Sequence, residues 1–175
     1  MFNRNISFII FFFVLINATL TQANNKTLYI DMDYIMNNSI AGKSITEQLK
    51  KKNKKDIEFF NKQQKDLKSE EEKIIAQKNI LDANEYKKKI VLFRKKISEF
   101  NKKRKNSAND LNKKRIIAQT SLVNSITPII ADYAKKNGAE IIIDKKNIVI
   151  GKVELDITQN ILKALDVKIK NIKVK

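Results

Sequence analysis

The spacing of apolar residues changes twice along the chain. Residues 8–16 form an unbroken apolar run. From Lys43 to about Asn137 single apolar residues recur at helical intervals in a strongly polar background, and beyond Gly138 short β-branched runs take over. In the middle region Phe60, Leu67, Ile74 and Leu81 recur every seven residues, whereas the companion positions Ile57, Gln64, Glu71 and Lys78 are mostly polar. Further on, Tyr86, Ile90, Phe93, Ile97 and Phe100 alternate spacings of four and three, as a two-helix seam requires. Between the two series stands "LDANEY", with Asp82 three residues before Glu85, the capping-box spacing that starts a second helix near Ala83. The pattern predicts an antiparallel hairpin with its tip near residues 79–85 and arms of roughly 40 residues, about 60 Å long at 1.5 Å per residue. A seam apolar on one side only should be flexible toward its tip.

Two adjacent rings, Phe59 and Phe60, sit in the first arm. Neighbouring helical residues point about 100° apart, so one narrow seam does not hold both. Phe60 belongs to the heptad series. Phe59, with Ile75 and Leu92, lies beside the seam without an obvious internal partner, which makes these three candidate apolar contacts for something outside the hairpin. The competing reading packs Phe59 against Leu92 or the stems of Lys95 and Lys96 across the hairpin.

Outside the arm the chain reads as a small β-rich body. "TLYID" has the alternation of a short strand and is followed by a helical turn and a bend. "AEIIID" and "NIVIGKVEL", joined by Lys145, Lys146 and Asn147, read as a β-hairpin. "DITQNILKAL" opens with Asp156 and Gln159 at capping-box spacing and predicts a short amphipathic helix. The tail "KIKNIKVK" reads as an edge strand or a disordered basic end. Three short strands make too small a core to stand alone, so they are expected to join strands of other copies. Leu28, Ile30, Ile142, Ile148 and Ile150 are the candidate residues of that shared body. The fold class is α+β: a long antiparallel helical hairpin (residues 43–127) projecting from a small β body (residues 24–42 and 128–175) shared between subunits.

Composition narrows the function. The first residues carry a positive n-region at Arg4, the apolar run, and a polar stretch ending "TQA". This is the layout of an export signal cleaved near Ala23, with residues 1–23 removed. The run is well short of the roughly 20 apolar residues that span a bilayer. The chain contains no His and no Cys, which excludes Ser-His-Asp and Cys-His nucleophiles and any His- or Cys-ligated zinc. The carboxylates of Glu70, Glu71 and Glu72 sit among lysines on a solvated helix face. No enzyme, cofactor or metal site is expected.

The formal net charge is +17, which favours anionic partners. The basic residues are almost all lysine, with arginine only at Arg4, Arg94, Arg104 and Arg115. Arginine is the better reader of phosphates and bases, and an exported chain meets little nucleic acid, so no nucleic-acid partner is expected. Between Lys43 and Ile117, 24 basic residues face 11 acidic ones. Lys87, Lys88, Arg94, Lys95, Lys102 and Arg104 are the candidate contacts for an acidic polypeptide or an anionic membrane lipid. A basic coiled-coil envelope protein that binds anionic lipid or polymer is the alternative reading.

"TLYIDMDYIMNNSIAGKS", "TPIIADYAKKNGAEIIIDKKNIVIG" and "LDITQNILKAL", the last most of all through its "LDIT", resemble the Skp/OmpH family of periplasmic chaperones. The arm matches that family in character only. The resemblance implies a homotrimer whose body is a small β-barrel built from all three chains. Three hairpin arms would enclose a cavity that holds unfolded outer-membrane proteins, without ATP, before membrane insertion. It implies a periplasmic location for the mature chain.

Overall fold

The computed structural model describes residues 26–174; the expected export signal lies outside the described residues. The chain runs β1 (Lys26–Ile30), α1 (Met32–Asn38), α2 (Ile40–Ala76), α3 (Ala83–Asn137), β2 (Ala139–Asp144) and α4 (Thr158–Lys168). Helices α2 and α3 have 37 and 55 residues, about 55 and 80 Å. They pack antiparallel as the expected hairpin.

Local chemistry sets the ends of the helices. The Asp82 carboxylate accepts from the backbone N–H of Asn84 (2.8 Å) and of Glu85 (3.2 Å), so α3 starts where the capping signal places it. Gly138 ends α3 in the left-handed conformation (φ 63°), which costs a residue without Cβ little. Between these caps the helix passes through Pro128, just after Ser121, Ser125 and Thr127 turn their hydroxyls back to carbonyls four residues earlier. At the other end, buried Ser39 caps α2 by accepting from the Gly42 N–H (3.0 Å). A Cβ on Gly42 would lie 1.8 Å from the Met36 carbonyl oxygen, so only glycine lets α2 leave α1 at this elbow.

The body core lies where the hairpin root meets the remaining elements. Leu28 and Ile30 from β1, Ile35 from α1, Ala41, Ile45 and Leu49 from α2, Ala118, Leu122, Ile126 and Ile129 from α3, and Ile161 and Leu165 from α4 form one buried cluster. β1 and β2 are parallel, from Lys26 opposite Ala139 to Ile30 opposite Asp144, with the whole hairpin as their crossover.

Two expectations for the body are corrected. The β-hairpin over residues 139–155 does not form. After β2 the Asp144 carboxylate accepts from the Lys146 N–H, and a 3-10 turn (Lys145–Asn147) bends the chain away. The returning segment then meets β1, where Ile157 N–H donates to the Tyr29 carbonyl (2.9 Å) and Tyr29 bridges Asp156. Two edges of β1 are thus used where a second partner for β2 was expected, and Val149 and Ile150 stay exposed. The tail is neither strand nor free end. The Gln48 side-chain amide donates to the Ile172 carbonyl (2.9 Å) and accepts from the Val174 N–H (3.1 Å), strapping the extended tail over the root of α2 while Ile169, Ile172 and Val174 pack on the core.

Candidate functional site

The hairpin beyond the root is built from few apolar contacts. Phe60, Leu67, Ile74 and Leu81 point inward as their spacing predicts, but the companion positions are not the expected ones. Ile57, Gln64, Glu71 and Lys78 are exposed. The seam alternates instead through Asp56, Gln63, Glu70 and Gln77, all half-buried. All four are polar, and three bond across the hairpin: Asp56 accepts from the Ser107 hydroxyl (2.7 Å), Glu70 from Lys96 (2.5 Å) and Gln77 from Lys89 (2.6 Å). Ile57 drew the sequence reading because it is apolar. A seam position held by a cross-helix hydrogen bond gives no signal in a hydrophobic pattern.

One polar layer separates root from arm. Lys52 reaches Asp56 (3.2 Å) and Asp110 (3.5 Å), and Ser107 completes the group. The Ser107 hydrogen bond holds the Asp56 carboxyl below its ordinary pKa, burial pulls the other way, and Lys52 adds to the lowering. Burial by itself would lower the Lys52 pKa, but Asp56 and Asp110 outweigh it and raise the value. In the body, burial of Asp156 is likewise outweighed by hydrogen bonds from the Thr158 hydroxyl and N–H and from Lys145, and its pKa is lowered.

The paired rings have separate roles in the packing. Phe60 meets Phe100 of α3 edge to face, with centroids 5.9 Å apart, which makes it a seam residue as predicted. Phe59 packs edge to face on Phe60 itself at 5.2 Å and keeps 53% of its surface exposed. The ring it meets is therefore that of its chain neighbour.

The candidate contact residues do not form one patch. From the seam position Ile74, Lys73 and Ile75 lie about 100° to either side, and Ile75 stands about 160° around α2 from Phe59. Leu92 lines a groove with Glu70, Lys73, Ile74, Gln77, Lys89, Lys95, Lys96 and Glu99, on the flank that Phe59 shares and Ile75 does not. Arg104 lines a different groove with Phe60, Asn61 and Gln64. Lys87 and Arg94 share one helical stripe of α3, and Lys88, Lys95 and Lys102 share the next. The sequence pattern assigns Ile57 to the seam and passes over Val91 and Lys73, yet Ile57 and Val91 are as exposed as Phe59. For both the signal is an apolar residue one place off the true seam.

In the body, Leu28 and Ile30 are buried, Ile142 and Ile148 are half-buried, and Ile150 is exposed beside Val149 and Val153. Ile141 on β2 is also more than half exposed.

A long helical hairpin on a compact root recurs among solved structures. The family model described as outer membrane protein (OmpH-like) matches residues 26–165, nearly all of the described chain. The chain belongs to the OmpH-like family. No curated relative matches it in sequence. Among solved structures, the crystal structure of a candidate outer membrane chaperone (OmpH-like) from Caulobacter crescentus CB15 superposes with a TM-score of 0.80 at 15% identity, covering 85% of this chain and 88% of the other. At that identity the likeness is one of fold: long helices with a small parallel strand pair, shared by this OmpH-like chain.

Proposed function

We propose that this chain is an ATP-independent holdase chaperone of the periplasm, released from an export signal near Ala23, that keeps unfolded outer-membrane proteins from aggregating. The observation that carries the reading is the exposure of apolar side chains on an arm with almost no core of its own. Ile57, Phe59, Ile75, Val91 and Leu92 are each at least half exposed, on both flanks of the hairpin. Isolated apolar groups of this kind give many weak contacts that exchange easily, as an unfolded client with scattered apolar residues requires. A tight pocket would hinder release. The excess of basic residues on the arm, including Lys87, Lys88, Arg94, Lys95, Lys102 and Arg104, adds long-range attraction for acidic clients. Membership of the OmpH-like family, and the chaperone named in the structural neighbour, support this reading over a passive envelope coiled coil.

The working form is proposed to be a homotrimer. A sheet of two short strands is marginal, and Ile141, Val149, Ile150 and Val153 leave an apolar surface beside it. Strands of neighbouring copies would cover that surface through Ile142, Ile148 and Ile150, with the hairpin beyond the Lys52–Asp56–Ser107 layer left free as the client-holding arm. The mass of the mature protein, measured with and without an unfolded outer-membrane barrel protein, tests both points. The expected species are a trimer and a trimer carrying one client. A monomer, or a trimer that leaves client aggregation unchanged, overturns the reading.

A further inference from the structure

The groove beside Leu92 differs from the rest of the arm. It lies in the outer part of the hairpin between α2 and α3, has a volume of about 510 Å³, and has Ile74 as an apolar floor and Leu92 as an apolar wall. That size falls within the range of roughly 300–1,000 Å³ common for ligand sites. The seam residues Glu70 and Gln77 reach sideways to Lys96 and Lys89 and leave the flank above Ile74 unfilled. Four lysines line the groove against two glutamates. Lys89 and Lys96 are held by these hydrogen bonds, whereas Lys73 and Lys95 make no ion pair or hydrogen bond with another described residue.

The adjoining stretch toward the root is lined by Gln63, Asp66, Leu67, Glu70, Lys96, Glu99, Phe100 and Lys103, three acids to two lysines. The Leu92 groove thus joins a net positive lining to an exposed apolar side chain, which the adjoining stretch does not.

We propose that this groove is a subsite selective for extended acidic-apolar polypeptide segments: an apolar side chain rests on Leu92 and Ile74 while carboxylates meet Lys73 and Lys95. The assignment deepens the chaperone reading and rests on it for the identity of the polypeptide. Side chains two residues apart on an extended segment lie on one side, about 7 Å apart, so an alternating apolar-acidic segment presents both groups to one face. Lysine suits the task because a mobile point charge accepts a carboxylate in many poses, where arginine would demand one. Neither free lysine supports the fold, so both can be changed without loosening the hairpin.

The test uses the full mature protein and two labelled peptides, one alternating apolar residues with aspartate and the other with lysine. Fluorescence anisotropy should give about a tenfold affinity loss for the acidic peptide in Lys73→Glu/Lys95→Glu, a change of about 1.4 kcal/mol. The loss should be less than about twofold in Lys65→Glu/Lys105→Glu, which alters net charge equally elsewhere on the arm. Leu92→Ser should weaken the acidic peptide with helicity unchanged. Equal losses in the two charge-reversed pairs would overturn the subsite, since only the overall field would then matter. Loss of binding to anionic lipid vesicles with acidic-peptide affinity intact would overturn it in favour of a membrane surface. A parent protein that prefers the acidic peptide through Lys73 and Lys95 yet fails to hold an unfolded barrel protein supports the groove and removes the chaperone reading, so the two failures are distinguishable.

Discussion

Root and outer arm are made from the same two helices, yet they are stabilised differently. At the root α2 and α3 meet β1, α1 and α4, and Ile35, Leu122, Ile126, Ile161 and Leu165 are almost completely buried. Beyond the Lys52–Asp56–Ser107 layer only the two helices remain among the described residues, and Ile74 and Phe93 alone among the outer seam residues are buried. Two helices cover a single stripe on each other, whereas a third layer closes the core. The difference teaches that helix length does not carry rigidity with it: a continuous helix is firm where other elements cover it and yielding where they do not.

Four perturbations sharpen or break this contrast. Ile126→Ala, at the centre of the root, should have the largest effect, lowering global stability by about 2–5 kcal/mol in chemical denaturation because it leaves a cavity in close-packed surroundings. A loss confined to the arm would remove the distinction. Phe93→Ala, or Phe60→Ala with loss of the Phe100 contact, should instead accelerate amide exchange along the outer arm, with a local loss of about 1–3 kcal/mol, and leave root exchange unchanged. Exchange that rises equally in β1 would mean root and arm open as one unit.

The polar layer is the boundary, and pH probes it. Asp56 has a lowered pKa in the folded chain, so its contribution is fully present above the ordinary carboxylate value near 4 and is lost as pH falls through the depressed one. Asp56→Ala should destabilise the hairpin by about 1 kcal/mol at neutral pH, and the variant and parent should converge as the medium is acidified below about pH 4. A gap independent of pH would mean that packing, not charge, holds the layer. The smallest effect belongs to Phe59→Ala, which should cost under about 1 kcal/mol because half the ring is already in water, while client holding weakens measurably. Arm loosening as large as that of Phe60→Ala would return Phe59 to ordinary helix packing.

Much of the hairpin was legible in sequence because helical signals are local. Asp82 caps where a D-x-x-E spacing places it, Gly138 stops α3, and the series from Phe60 to Leu81 and from Tyr86 to Phe100 face one another. The candidate site was legible in kind but not in arrangement. Phe59 and Leu92 are exposed as their off-seam positions suggest, but their placement on one flank, with Ile75 on the other, depends on which seam positions α3 accepts.

What the sequence by itself determined, then, is a set of features whose cause lies within a few residues: the Asp82 cap, the stop at Gly138, the turn at the tip and the inward apolar series. The last helix, by contrast, is capped at Ile157 without the expected Asp156–Gln159 box. Tertiary structure decided the rest. Asp56, Gln63, Glu70 and Gln77 fill the seam because Ser107, Lys96 and Lys89 wait across it for three of them. β2 pairs with β1 rather than with its own continuation because the returning segment binds Tyr29 instead. The tail is held because one side chain, Gln48, matches both a carbonyl and an N–H of an extended segment. Each of these choices is made between residues far apart in sequence, where polar partners and strand edges are satisfied only once the chain has folded.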